Sequence, residues 1–129
     1  MFTLEQIRTA HSKVKSGADF PAYIRDLKNF GVAAYETFVS DGHSVFKSAD
    51  GQKIISPPKY DVLQVQETSQ ANTFTQKLKE HQQGGSTYPE FCNDCAATGI
   101  EKWIVDLSAM TCSYFDKKGK KILVEQIPS

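Results

Sequence analysis

No charge of either sign dominates this sequence: 15 Lys and Arg stand against 15 Asp and Glu in 129 residues. Without a net field there is no general attraction for nucleic acid or an anionic membrane surface. Long apolar runs are missing too. Nothing approaches the roughly 20 residues that a bilayer crossing takes. The opening MFTLEQIRTAH lacks the basic segment and apolar stretch of a secretory leader. Cysteine is scarce and odd in number, three in all, which excludes a fully paired disulfide framework and fits a reducing cytoplasm. Also absent are a glycine-rich phosphate loop, a Gly-x-Ser-x-Gly elbow and a helical metal-ligand pattern. These absences lead us to expect no nucleic acid, no membrane partner, no metal and no cofactor.

What is present is a repeat. Residues 20–56 and 88–124 follow one pattern, 68 positions apart without a gap. Phe20-Pro21 matches Tyr88-Pro89, Asp26 matches Asp94, and Gly31 matches Gly99. Ser40 matches Ser108, and Gly51-Gln52-Lys53-Ile54 matches Gly119-Lys120-Lys121-Ile122. The expectation is one domain over 1–129, built of two repeats of about 1–67 and 68–129. A chain of this length can bury its own core without staples. Each half reads helix, helix, then a meander of strands, an α+β pattern with an antiparallel sheet. Two halves sharing one core, related by a pseudo-two-fold, would cover the apolar face that either half alone exposes.

Local signals place the elements. Thr3 and Gln6 form a capping box, and Leu4, Ile7, His11 and Val14 share a helical face. A second helix begins near Asp19 with Pro21 in its first turn, buries Tyr23, Ile24 and Leu27, and stops at Gly31. A strand over 32–40 meets Asp41-Gly42, a strong hairpin signal. A two-residue turn there sets Phe38 opposite Val45 and Glu36 opposite Lys47. A third strand covers 53–56, and Val62, Leu63 and Val65 suggest another. A helix from near Ser69 carries Phe74, Leu78 and His81, and a short one follows Thr87. Strands at 100–108, 111–115 and 121–126 complete the chain. Tyr35, Thr37, Val39, Ser44 and Phe46, with Trp103, Val105, Leu107 and Tyr114, form the face turned to the helices.

The internal comparison trims the chemical candidates. Cys92 and Cys95 are spaced as a redox dithiol or half a zinc site, but their counterparts are Ile24 and Leu27, so they read as small buried hydrophobes. Cys112, expected opposite Leu107, is a candidate nucleophile only if a base adjoins it. Its counterpart Ser44 lies on the core face. His43 beside Asp41 is a candidate acid, base or ligand. His11 and His81 fall on apolar helix faces. Glu36 pairs with Lys47 in the expected register, and Lys117–Lys121 reads as a solvated basic tip.

The far side of the sheet would then carry Phe38, Val45, Ile104 and Phe115, rimmed by Glu36, Lys47, Lys102 and Asp106. An antiparallel sheet can leave one face open, and four large apolar groups there suggest a contact surface. The stretches KSGADFPAYIRDLKNFGVAAYETFVSDGH, HQQGGSTYPEFC and GIEKWIVDLSAMTCSYFD give the chain a resemblance to the YbcV-like family of small bacterial and prophage proteins of unknown function. The resemblance implies a bacterial, cytoplasmic, single-domain protein and assigns no catalytic residue. Some members bear the label "phage envelope protein".

Two functions compete. One is a non-catalytic binding domain, a homodimer or a binder of a small molecule or protein, using Glu36, Phe38, His43, Val45, Ile104 and Phe115 on the open face. The other is a small enzyme or ligand sensor with His43 in a cleft, aided by Asp41, Glu36 or Cys112. A phage-derived structural role rests on the family label alone.

Overall fold

The computed structural model describes residues 2–128; Met1 and Ser129, the ends of the expected domain, lie outside them. Helix α1, Leu4–His11, starts where Thr3 Oγ1 accepts from the Gln6 backbone N–H and the Gln6 side chain accepts from the Thr3 N–H. It ends at His11, so Val14 lies beyond it. A 3-10 turn, Gly17–Asp19, leads into α2, Phe20–Phe30, which buries Tyr23, Ile24 and Leu27. Strands β1 (Val32–Phe38), β2 (Ser44–Ser48) and β3 (Lys53–Ile55) follow. The chain then repeats the order with α3 (Ala71–Gln82), α4 (Tyr88–Ala97), β4 (Lys102–Asp106), β5 (Thr111–Phe115) and β6 (Lys121–Gln126). Thr87 and Glu90 form the capping box of α4. The fold is α+β.

All six strands join one antiparallel sheet in the order β3-β2-β1-β4-β5-β6. The central pair, β1 and β4, sets Glu36 opposite Ile104, Tyr35 opposite Val105 and Thr37 opposite Trp103. The helices cover one face: Tyr23 of α2 meets Tyr35, Phe74 of α3 meets Tyr114, and Tyr88 and Phe91 of α4 meet Trp103. Tyr35, Thr37, Val39, Ser44 and Phe46 are all buried there, as are Trp103, Val105, Leu107 and Tyr114.

Several local expectations are corrected. The first hairpin does not turn at two residues. Gly42 N–H reaches back to Phe38 O at 2.8 Å, and the loop Val39–His43 shifts the pairing so that Glu36 faces Val45 and Thr37 faces Ser44. The shift is by two positions, so every side chain keeps its face. Glu36 therefore pairs with Lys102 at 2.8 Å and not with Lys47. Val39 leaves the hairpin to bond Glu101 O and buries its side chain completely. In the second hairpin a four-residue loop with Met110 at φ 56° sets Cys112 opposite Val105 and not Leu107. Asp106 holds that loop by accepting from the Ser108 and Ala109 N–H groups.

The stretch around Val62–Val65 is not a strand. Its backbone bonds to loops and a helix end instead, Lys59 N–H to Asp41 O, Leu63 N–H to Ser40 O and Gln66 N–H to Ala96 O. Val65 drops into the core while Val62 is 80% exposed. One anchoring residue in a segment that crosses the helix side does not need a ladder.

Candidate functional site

The open face of the sheet carries the residues expected there. Glu36, Phe38, Val45, Ile104 and Phe115 all lie half-buried on it. One row runs Ile55, Val45, Glu36, Ile104, Ser113, Val124 from edge to edge. A neighbouring row sets Lys102 between Phe38 and Phe115, with its ammonium 5.9 and 5.6 Å from the two ring centres. The Glu36–Lys102 pair thus crosses the middle of the apolar area. Such half-exposed pairs add little stability, but they break the surface into smaller patches.

His43 sits at one end of this face. Its ring stacks on Phe38 at 4.6 Å, and its Nδ1 lies 2.6 Å from Asp41 Oδ1. Slight burial works to raise the Asp41 pKa. The hydrogen bonds from His43's backbone and ring, with the ring's charge, outweigh that and hold it below the usual value. Cys112 lies on the opposite, helix-covered face. The structure does not bring His43 and Cys112 together. Burial pushes the Cys112 thiol up to about 12, which keeps it in the protonated, weakly nucleophilic form. Cys92 and Cys95 have zero exposure, as do Ile24 and Leu27, and both thiols are free and pushed upward by burial. His81 stacks on Phe91 at 4.3 Å, with Nδ1 2.9 Å from Ser86 Oγ.

The concave feature lies on the other side of the sheet. A cavity of about 70 Å³ opens between helices and strands, walled by Tyr23, Tyr35, Tyr88, Trp103 and Tyr114. Tyr23, Tyr35, Trp103 and Tyr114 each keep 5% of their surface accessible, whereas Ile24, Leu27 and Val105 beside them keep none. Large planar groups from both halves meet here without closing the space. Thr37 and Ser44 line it too, and their hydroxyls are 2.6 Å apart. Burial raises the tyrosine pKa values, well above the usual range for Tyr35, Tyr88 and Tyr114, so these hydroxyls stay protonated.

A second cavity, about 340 Å³, lies between α1 and the Ser56–Lys59 stretch, against Leu4, Ile7, Phe46 and Pro57. His11 and Lys59 line both cavities. The His11 ring stands edge-on to Tyr23 and Tyr88, at 5.3 and 4.7 Å. Burial, then the nearby Lys59, pulls its pKa down to about 4. Lys59 is exposed as a residue, its ammonium lies over the Tyr88 ring at 5.3 Å, and partial burial lowers its pKa.

This site was missed in the sequence because its aromatic residues read as core, which they also are. Lys59 follows Pro57-Pro58 in a stretch without periodicity. The one available signal was His11, a titratable group on the apolar face of α1.

Fold and cavities together define a small α+β protein with an aromatic chamber between its helices and its sheet. The chain belongs to the family described as Protein of unknown function (DUF1398), whose model matches residues 8–126. It is similar to "Uncharacterized protein YcgX" of Escherichia coli (strain K12), at 20% identity over 115 residues, covering 89% of this chain and 86% of that protein. The family match includes His11, Lys59, Tyr88 and Trp103. Neither description speaks of phage, an envelope or a ligand. No helix among the described residues is long and apolar enough to cross a membrane.

Proposed function

We propose that this protein is a non-catalytic small-molecule-binding domain whose site is the aromatic chamber, formed as its two halves close over one interior. One observation carries the reading: His11 and Lys59 stand between two cavities of about 70 and 340 Å³, against aromatic walls from both halves. A mostly apolar concavity with few polar groups is the usual form of a ligand site. The inner cavity, about 70 Å³, has room for a few water-sized groups. Catalysis is less well supported, because the buried Cys112 thiol is held protonated and His43 lies across the sheet.

A thermal-shift screen of small metabolites tests the reading. Ligands should raise the melting temperature by mass action and change the emission of Trp103, the chain's single tryptophan. Val14 also lines the inner cavity, and the Val14→Phe variant, which places a ring there, should abolish both effects. Ligands that bind Val14→Phe unchanged, or that perturb only residues of the open sheet face, would sink the proposal.

The open face supports a second reading, self-association through the row from Ile55 to Val124. Ile55 is 59% and Val124 48% exposed. A cytoplasmic setting agrees with the three free thiols.

A further inference from the structure

Lys59 is held by more than its side chain. Its backbone N–H donates to Asp41 O at 2.8 Å, and Pro57-Pro58 stiffen the approach. Lys59 lines both cavities, and its ammonium lies over Tyr88, which walls the inner one. Among the described residues no carboxylate comes within 4 Å of it, and it makes no side-chain hydrogen bond. The face of Tyr88 lies 5.3 Å from it. Burial disfavours the charged form there, and a cation–π contact offsets only part of that. The other lysines with close partners differ. Lys102 has Glu36 and Lys117 has Glu67, at 2.8 and 3.1 Å. Lys59 alone combines a position on the chamber wall with a missing counter-ion.

We propose, resting on the chamber as the ligand site, that Lys59 is an anion seat and that the ligand is a small carboxylic acid with a compact apolar body. The carboxylate replaces the missing counter-charge on Lys59. His11 supplies a neutral N–H beside it, since it lines the same wall and stays uncharged near neutral pH. The apolar body lies against Tyr88 and Trp103, whose rings meet edge to face at 6.4 Å. The size of the inner cavity limits that body to a short branched chain or one small ring. A phosphate monoester suits the inner cavity less well, because Lys59 is the one Lys or Arg lining it and Glu125 lines it too.

Two probes of one shape separate the seat from the chamber: 3-methylbutanoate and the uncharged 3-methyl-1-butanol, each titrated against Trp103 emission. The native chain should bind the acid about tenfold more tightly than the alcohol, as expected for a charge-assisted contact. Lys59→Met should remove that preference while the alcohol's affinity changes less than about twofold, which also shows that the variant is folded. Lys59→Arg should keep the preference. If acid and alcohol bind alike, or if Lys59→Met still prefers the acid, the anion seat is refuted and the chamber stands. If neither probe perturbs Trp103, the chamber falls and the anion seat falls with it.

Discussion

His11 carries a titratable ring into a place where charge is unwelcome. Tyr23 and Tyr88 flank it and Lys59 adds a like charge. Above pH 6.5 the ring is neutral in both folded and unfolded chains and contributes no pH dependence. Between 6.5 and about 4 the unfolded chain takes up a proton that the native ring resists. The unfolded state then binds more protons, so stability falls as pH falls through this window and levels off below it. At about 1.4 kcal/mol per unit, and discounting for the ring's partial exposure, the loss is on the order of 2 kcal/mol. His81 is also shifted down by burial and adds to the same trend. The His11→Phe variant keeps the aromatic packing and leaves His81 and the carboxylates in place. Urea unfolding on either side of the window should show a shallower acid decline in His11→Phe than in the native chain. Parallel declines would mean that His11 is solvated and not part of the chamber wall.

Each half ends its second helix with a glycine in the left-handed region, Gly31 at φ 99° and Gly99 at φ 81°. The two differ in surroundings. A Cβ on Gly31 would meet nothing within 4 Å, whereas one on Gly99 would come 2.6 Å from Thr68 O and 2.7 Å from the Ser69 Cα. Backbone cannot move aside as a side-chain end can. Gly31→Ala should therefore cost about 1–2 kcal/mol, the left-handed penalty alone. Gly99→Ala should cost that plus an overlap term, about 3 kcal/mol or more. Denaturant midpoints of the two variants check this, and equal losses would remove the close approach of the 68–69 segment to α4. The helix stops were legible in the sequence because glycine signals a φ. The neighbour that separates the two sites was not, since it arrives from a segment without pattern. Similarly, Asp41-Gly42 announced a turn but not its length. Tertiary bonds from Val39 to Glu101 and from Leu63 to Ser40 lengthened that loop, and only the two-residue periodicity of side chains kept the face assignments of Tyr35, Thr37 and Phe46 intact.

At the scale of the whole molecule, the same periodicity divided the residues of the sheet into two faces but could not say which face would hold a concavity. Alternation reports which side a residue faces, not whether the layers close. Phe38, Val45, Ile104 and Phe115 looked like the asset, while Tyr23 on α2 and Tyr35, Trp103 and Tyr114 on the helix-covered sheet face read as core. For the open face, size decides what can be expected. Six strands about 4.8 Å apart and about five residues long present a flat area of roughly 500 Å². A stable interface takes about 800 Å² from each partner, and the Glu36–Lys102 pair crosses the centre of this one. Self-association through the face should accordingly be weak and concentration-dependent. Sedimentation velocity over a dilution series should show reversible dimer at high concentration, lost in Ile104→Glu, which puts a second carboxylate opposite Glu36 and repels it. Ile104 is on the solvent side, so ligand binding at Trp103 should survive that change. A native chain that stays monomeric throughout, or an Ile104→Glu variant that dimerises equally well, would leave the exposed row from Ile55 to Val124 as an ordinary solvated surface.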